Sequence, residues 1–122
     1  MSFKEYPFIT ELTPQDFDLQ KSWKLRKHKC SIVLFYLPTC PHCIAMKDEW
    51  VKLGRLAAFF DVCAFNSSEY SDYIMKIREE VPELIEGYPT IIVYQNGEPV
   101  EKYRGERTAE QFTLACMRSC KK

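Results

Sequence analysis

The apolar positions of this chain fall into short continuous runs separated by stretches with helical spacing, an alternation that predicts an α/β fold. The densest run lies between Ser31 and Leu37, where Ile32, Val33, Leu34, Phe35 and Tyr36 follow one another. β-Branched and aromatic residues in unbroken succession read as a strand buried on both faces of a mostly parallel sheet, at the centre of the fold. From Pro41 to Leu56 the pattern changes. Ile44, Met46, Trp50, Leu53 and Leu56 recur at roughly helical spacing, which puts Cys40 at a strand-to-helix corner. Asp61 to Asn66 reads as a further strand around Val62 and Phe65, closed by Asn66-Ser67-Ser68 as turn and helix cap. Tyr70, Tyr73, Ile74, Ile77 and Val81 then trace one face of a helix that Pro82 ends.

The flanks complete the order. Phe8-Ile9-Thr10 reads as a short strand, and Thr13-Pro14-Gln15-Asp16 as a helix start with Thr13 as N-cap and Pro14 in the first helical position. That helix is expected to run to about Lys27 and to end in the basic run Lys24, Arg26, Lys27, His28 and Lys29, a solvated face whose cations favour a helix C-terminus. After Gly87, Thr90 to Tyr94 is a strand, Gln95-Asn96-Gly97 a hairpin turn, and Val100 to Tyr103 its antiparallel partner. Thr108-Ala109-Glu110-Gln111 matches a capping box and opens a last helix. The predicted order is β-α-β-α-β-α-β-β-α, five strands and four helices. No internal repeat, low-complexity tract or linker interrupts it.

With 122 residues, 46% of them hydrophobic, the chain can bury one core and is expected to form one domain. Seventeen basic residues balance seventeen acidic ones, so no global field draws the protein to nucleic acid or to an anionic membrane. No apolar stretch approaches the ~20 residues of a membrane span, and the segment from Met1 to Pro7 lacks the apolar core of a secretory signal. The expectation is a cytoplasmic protein that works as a monomer, with neither nucleic acid nor membrane as partner. Six cysteines in such a chain point to redox or metal chemistry rather than to a stapled secreted scaffold.

Cys40-Pro41-His42-Cys43 is the sharpest chemical signal. Cys40 would meet unpaired backbone N–H groups and the positive end of a helix dipole, both of which favour its thiolate, and Cys43 would sit one turn deeper, able to close a ring with it. A protonated His42 would add positive charge. The alternative for a C-x-x-C pair is half of a zinc site, for which Cys116 and Cys120 on the last helix are the other close pair.

Phe35-Tyr36-Leu37-Pro38-Thr39-Cys40-Pro41-His42-Cys43, Gly87-Tyr88-Pro89-Thr90, Tyr103-Arg104-Gly105-Glu106-Arg107-Thr108 and Leu12-Thr13-Pro14-Gln15-Asp16-Phe17 together resemble a thioredoxin-fold domain of the protein disulfide isomerase type, over residues 9 to 118. The resemblance implies a central mixed sheet of about five strands flanked by about four helices, in one domain spanning 1–122. It implies Cys40 as the attacking nucleophile, Cys43 as the resolving thiol and Pro89 as a cis-proline facing them. The carbonyl and N–H of Tyr88 would then be free to pair with an extended client strand. The other reading of Pro89 is an ordinary trans turn. Arg107 matches the family arginine that approaches the second cysteine and lowers its pKa; the other reading is a surface arginine beside a helix cap.

Two departures carry consequences. The buried acid that the family places two residues before the Phe-Tyr pair is Leu34 here, and its lysine partner on the next strand is Ala64. Losing both is physically consistent, since either charge buried alone would be expensive. Arg107 or water is left to assist Cys43. The helix-kinking proline of the family is replaced by Asp48.

The Pro41-His42 pair between the cysteines resembles that of DsbA, which implies a stabilised reduced form and a strongly oxidising disulfide. That sits poorly with a reducing cytosol, so a thiol-oxidation relay, work against glutathione and a different compartment all stay open. Cys63 and Cys116 are expected to be small buried hydrophobes, with Cys30 and Cys120 exposed, and Cys40–Cys43 is expected as the one internal disulfide. The register that the resemblance implies would start the strands of Cys30 and Cys63 about three residues out of step, beyond bridging distance. A Cys116–Cys120 relay dithiol is the alternative for the last helix.

The expected function is a thiol–disulfide oxidoreductase, oxidase- or isomerase-like, acting on protein or peptide cysteines through a mixed disulfide at Cys40 without cofactor or metal. A thiol oxidase, glutathione or a reductase would recycle it. The rivals are a general reductase and a non-catalytic module that binds clients or a partner beside Pro89.

Overall fold

The computed structural model describes residues 1–120. Five strands form one mixed sheet: β1 (Thr10–Leu12), β2 (Ser31–Tyr36), β3 (Asp61–Asn66), β4 (Thr90–Gln95) and β5 (Glu98–Tyr103), in the spatial order β1-β3-β2-β4-β5. β1, β3 and β2 run parallel, β4 is antiparallel to β2, and β5 is antiparallel to β4. The helices are α1 (Pro41–Ala45), α2 (Lys47–Leu56), α3 (Ser71–Glu80) and α4 (Ala109–Ser119). This is the mixed five-strand, four-helix α/β arrangement that the resemblance implied.

All six residues of β2 are buried, as its unbroken apolar run requires. Successive side chains pass to opposite faces of the sheet. Ile32, Leu34 and Tyr36 therefore join Trp50 and Leu53 of α2 and Phe112 of α4 in one apolar layer. Val33 and Phe35 join Phe17, Phe65 and the α3 residues Ile74 and Ile77 in the other. In the first layer, Trp50 and Phe112 meet edge to face at 5.0 Å between ring centroids. The hairpin joining β4 to β5 turns at Asn96 (φ 54°) and Gly97 (φ 81°). Gly97 is required twice over: its φ is left-handed, and a Cβ there would lie 2.3 Å from the Leu25 carbonyl oxygen.

Three expectations give way. The helix from Thr13 to about Lys27 is absent. Thr13 does form a capping box with Asp16, but it opens a single 3-10 turn, Pro14–Asp16, after which Phe17 is already extended. Asp18 then accepts from the N–H groups of Gln20 and Lys21, offering the backbone an alternative to a helix, and Phe17 bridges to Leu25 in antiparallel fashion. The basic run consequently meets acids rather than a helix end: Lys24 pairs with Glu98, and Lys27 and Lys29 with Asp61. The helix expected from Pro41 to Leu56 is broken at Met46 (φ −96°, ψ 1°), a kink made without the family proline. The first strand begins at Thr10 rather than ending there.

A fourth correction concerns the cysteines: Cys40 and Cys43, expected to form the one internal disulfide, are both free thiols, and the bridge lies elsewhere. Cys30 is buried and forms a disulfide with Cys120, with 5.8 Å between Cα atoms and a sequence separation of 90. The bridge is possible because α4 ends beside the start of β2. It removes Cys120 from the alternative Cys116–Cys120 pair. Cys63 and Cys116 are buried free thiols, as expected, and the register pairs Cys63 with Val33, three positions from Cys30.

Candidate functional site

β2 ends at Tyr36, and Leu37, Pro38 and Thr39 lead to Cys40, the N-cap residue of α1. Pro41 takes the first helical position, where a missing N–H goes unnoticed. Cys40 is partly exposed and Cys43, one turn on, is fully buried. The same turn thus gives two thiols of opposite character. The backbone N–H of Cys43 points at Cys40 Sγ and holds its pKa below the ordinary thiol range, with further help from the Cys43 thiol, the backbone N–H of His42 and the charge of Arg107. Burial pushes Cys43 up to about 11. His42 itself is exposed, and it acts on the thiolate through its backbone.

Facing the pair is the Tyr88–Pro89 peptide bond, which is cis. The Cys40 thiol approaches the Tyr88 carbonyl, Sγ to O 3.7 Å, so this carbonyl, expected to be free, is capped while Cys40 carries its proton. Two contacts from α3 hold the loop before Pro89. Arg78 donates to the Ile85 carbonyl at 2.8 Å and to the Tyr88 hydroxyl at 3.3 Å, with its guanidinium over the Tyr88 ring. Thr90 secures the other side by donating to the Gly87 carbonyl.

Arg107 lies in the exposed loop between β5 and α4, within electrostatic reach of both thiols. That loop is fixed by two caps, one from the Thr108 read in the sequence and one from a residue with no local sequence signal. Glu49 of α2 accepts from the N–H of Ala109 at 2.8 Å, neutralising the start of α4, and Thr108 accepts from Gln111 at 3.2 Å. Neither Arg78 nor Glu49 stands out in the sequence: Glu49 acts 60 positions away, and Arg78 acts on a loop beyond the end of its own helix, where no helical spacing links them. Leu34 and Ala64 are both buried and sit opposite one another in the β2–β3 register, an apolar pair where the resemblance leads one to look for an acid and a lysine.

A thioredoxin family model matches residues 8–117 of this chain. The chain belongs to the thioredoxin family. This thioredoxin domain is 34% identical over 89 residues to a protein disulfide-isomerase of Humicola insolens, covering 66% of the chain and 16% of that protein. It is 29% identical over 116 residues to a protein disulfide-isomerase A6 homologue of Drosophila melanogaster, covering 93% of the chain and 25% of the relative. The domain therefore spans only about a sixth to a quarter of the length of these relatives. Among solved structures, the J-Trx1 fragment of ERdj5 superposes with a TM-score of 0.75 at 23% identity, over 95% of this chain and 53% of the fragment. The first two thioredoxin domains of Naumovozyma dairenensis Eps1p give 0.71 at 26% identity, over 94% of this chain and 41% of theirs.

Proposed function

We propose that the protein is a thiol–disulfide oxidoreductase that exchanges with protein or peptide cysteines through a mixed disulfide at Cys40. The observation that carries the reading is the division of labour across one helical turn: an accessible thiol with a lowered pKa beside the Tyr88–Pro89 edge, and a buried partner raised to about 11. The likeness to protein disulfide-isomerases supports the same chemistry. In the oxidising direction, a client thiolate attacks Cys40 Sγ of the Cys40–Cys43 disulfide and Cys43 leaves, taking a proton. A second client thiolate attacks the client sulfur of the mixed disulfide and Cys40 leaves. The client loses two electrons and the pair gains them. A low-pKa leaving group favours that last step. Arg107 steadies the negative sulfur, and Tyr88 offers backbone to the client strand.

The oxidase- or isomerase-like direction is favoured over a general reductase by the same features. The Cys40 thiolate is stabilised, hence the reduced form, and with Leu34 there is no buried carboxylate to oppose it. The Cys30–Cys120 bridge supports an oxidising compartment, where such staples persist, over the cytoplasmic setting expected from the chain's first residues. Glutathione disulfide or a thiol oxidase would then recycle the pair. Equilibration in glutathione buffers tests the direction. The expected potential lies between roughly −230 and −120 mV, and a value at or below the ~−270 mV of thioredoxin would instead make the protein a reductase.

A further inference from the structure

Two grooves flank the Tyr88–Pro89 edge, and they differ in charge. One, of about 340 Å³, runs between the end of β2 and α3 over Leu37, Ser67, Ser71, Met75 and Arg78. Its single cation is already engaged, since Arg78 is spent on the Ile85 carbonyl and on Tyr88. The other, of about 370 Å³, is lined by Tyr88, Pro89, Lys102, Arg104, Arg107 and Glu86. Three cations face one carboxylate there. Lys102 pairs with Glu86 at 2.8 Å, Arg104 stands 3.9 Å from the same carboxylate, and Arg107 has no ion pair among the described residues. Arg104 is 73% exposed at its side chain, with its guanidinium available to a ligand.

We propose that this basic groove is a specificity site for an acidic residue placed within about three positions of the reacting cysteine, on one side of it only. The inference rests on the oxidoreductase reading above and adds to it a client class: peptides with an acidic flank and a neutral flank around the cysteine. The physical reason is the asymmetry. A client strand laid along Tyr88 while its sulfur meets Cys40 must send its two flanks in opposite directions, at about 3.3 Å per residue. One flank enters the groove over Ser67 and Ser71, whose one positive charge, Arg78, already donates to the Ile85 carbonyl and the Tyr88 hydroxyl, so an added carboxylate is held more weakly there. The other enters the groove with an excess of two positive charges, where Arg104 and Arg107 can meet a carboxylate and Arg104 can do so with both arms of its fork.

The test uses symmetrical disulfides of single-cysteine decapeptides, each peptide bonded to a second copy of itself, reacted with the reduced protein. Cys40 thiolate attacks one sulfur and the peptide–peptide bond breaks, with the leaving peptide thiolate taking a proton. Cys43 then loses its proton, attacks Cys40 Sγ and releases the second peptide. The peptide disulfide is reduced by two electrons and the Cys40–Cys43 pair is oxidised by two. Peptides carrying Glu two positions before the cysteine, Glu two positions after it, or Gln at both places are compared at about 0.05 M and 0.5 M salt.

The expected result is that Glu on one flank speeds release about 5-fold over Gln, that Glu on the other flank does not, and that the advantage falls toward parity at high salt. Arg104→Glu should drive the Glu-to-Gln rate ratio on the favoured flank below one. Equal rates for all three peptides, or equal acceleration by Glu on either flank, would overturn the specificity site. Hydroxyethyl disulfide separates the two levels of the account. If it is reduced while the peptides react alike, only this inference falls; if neither it nor any peptide reacts, the oxidoreductase reading falls and takes this one with it.

Discussion

Cys40 and Cys43 are three residues apart, yet their chemistry is set by different ranges of the structure. What lowers Cys40 is nearly all local, the N–H groups at the start of α1 led by that of Cys43, so it can be read from Cys-Pro-His-Cys following a strand. What raises Cys43 to about 11 is burial, which only the packing of α1 against the sheet supplies. The thiolate is the reactive form, so a lowered pKa means reactivity already present at lower pH, lost only as the pH falls through that value. Alkylation of the native protein by iodoacetamide should label Cys40 at lower pH than it labels an unstructured cysteine peptide measured alongside. Cys43 should stay unlabelled until about pH 11, and Cys63 and Cys116, each buried and pushed up to about 12, should react only on unfolding. Mass spectrometry of peptides identifies the site. Labelling of Cys43 before Cys40 would mean that α1 starts elsewhere. His42 shows the limit of reading a motif by side chain alone, since the sequence suggests its imidazole and the structure uses its backbone N–H.

Among the elements, those with a strong local pattern were legible and those decided by distant partners were not. β2, β3, α3 and the β4–β5 hairpin follow from apolar runs, helical spacing and Asn-Gly. The segment after Thr13 carries every local sign of a helix start and still forms one 3-10 turn. Asp18 turns the chain, and the loop is then pinned from afar, by Tyr73 to the Ser22 carbonyl, Tyr94 to the Trp23 carbonyl and Leu25 to the Gly97 carbonyl. The start of α4 depends similarly on Glu49. Glu49→Ala should lower stability by about 1 kcal/mol, the loss of a charge-assisted cap, read as a shifted urea midpoint with unchanged slope. The Cys30–Cys120 staple was hidden for a related reason: it needs the whole length of α4 to be laid back along the sheet. Closing a 90-residue loop restricts the unfolded chain, so Cys120→Ser should cost about 2–5 kcal/mol while leaving the rate of Cys40 alkylation unchanged. Free thiols at Cys30 and Cys120 in unreduced, alkylated protein would show that the bridge is not made in solution.

At the scale of the molecule, β2 separates two sulfur chemistries. Cys30 precedes its first residue and Cys40 follows its last, so the staple and the exchange pair stand at opposite ends of the central strand, about 20 Å apart at ~3.3 Å per residue. The staple joins a buried sulfur across a long loop, whereas the exchange pair has an accessible, low-pKa member in a short one. Graded glutathione buffers should therefore reduce Cys40–Cys43 first and leave Cys30–Cys120 intact, with one disulfide still found by mass spectrometry when the protein begins to react with thiol reagents. Simultaneous loss of both would contradict this separation.

The central claim is that clients pass through a mixed disulfide at Cys40, and trapping tests it most directly. In a Cys43→Ser variant the resolving thiol is gone, so the attack of Cys40 on a peptide disulfide should stop at the covalent adduct. Peptide mapping after acid quench should find the client cysteine bonded to Cys40 in most of the protein, with Cys30–Cys120 undisturbed. An adduct on Cys30 or Cys120 instead, or no adduct where wild-type protein oxidises and reduces the same peptide, would contradict the account.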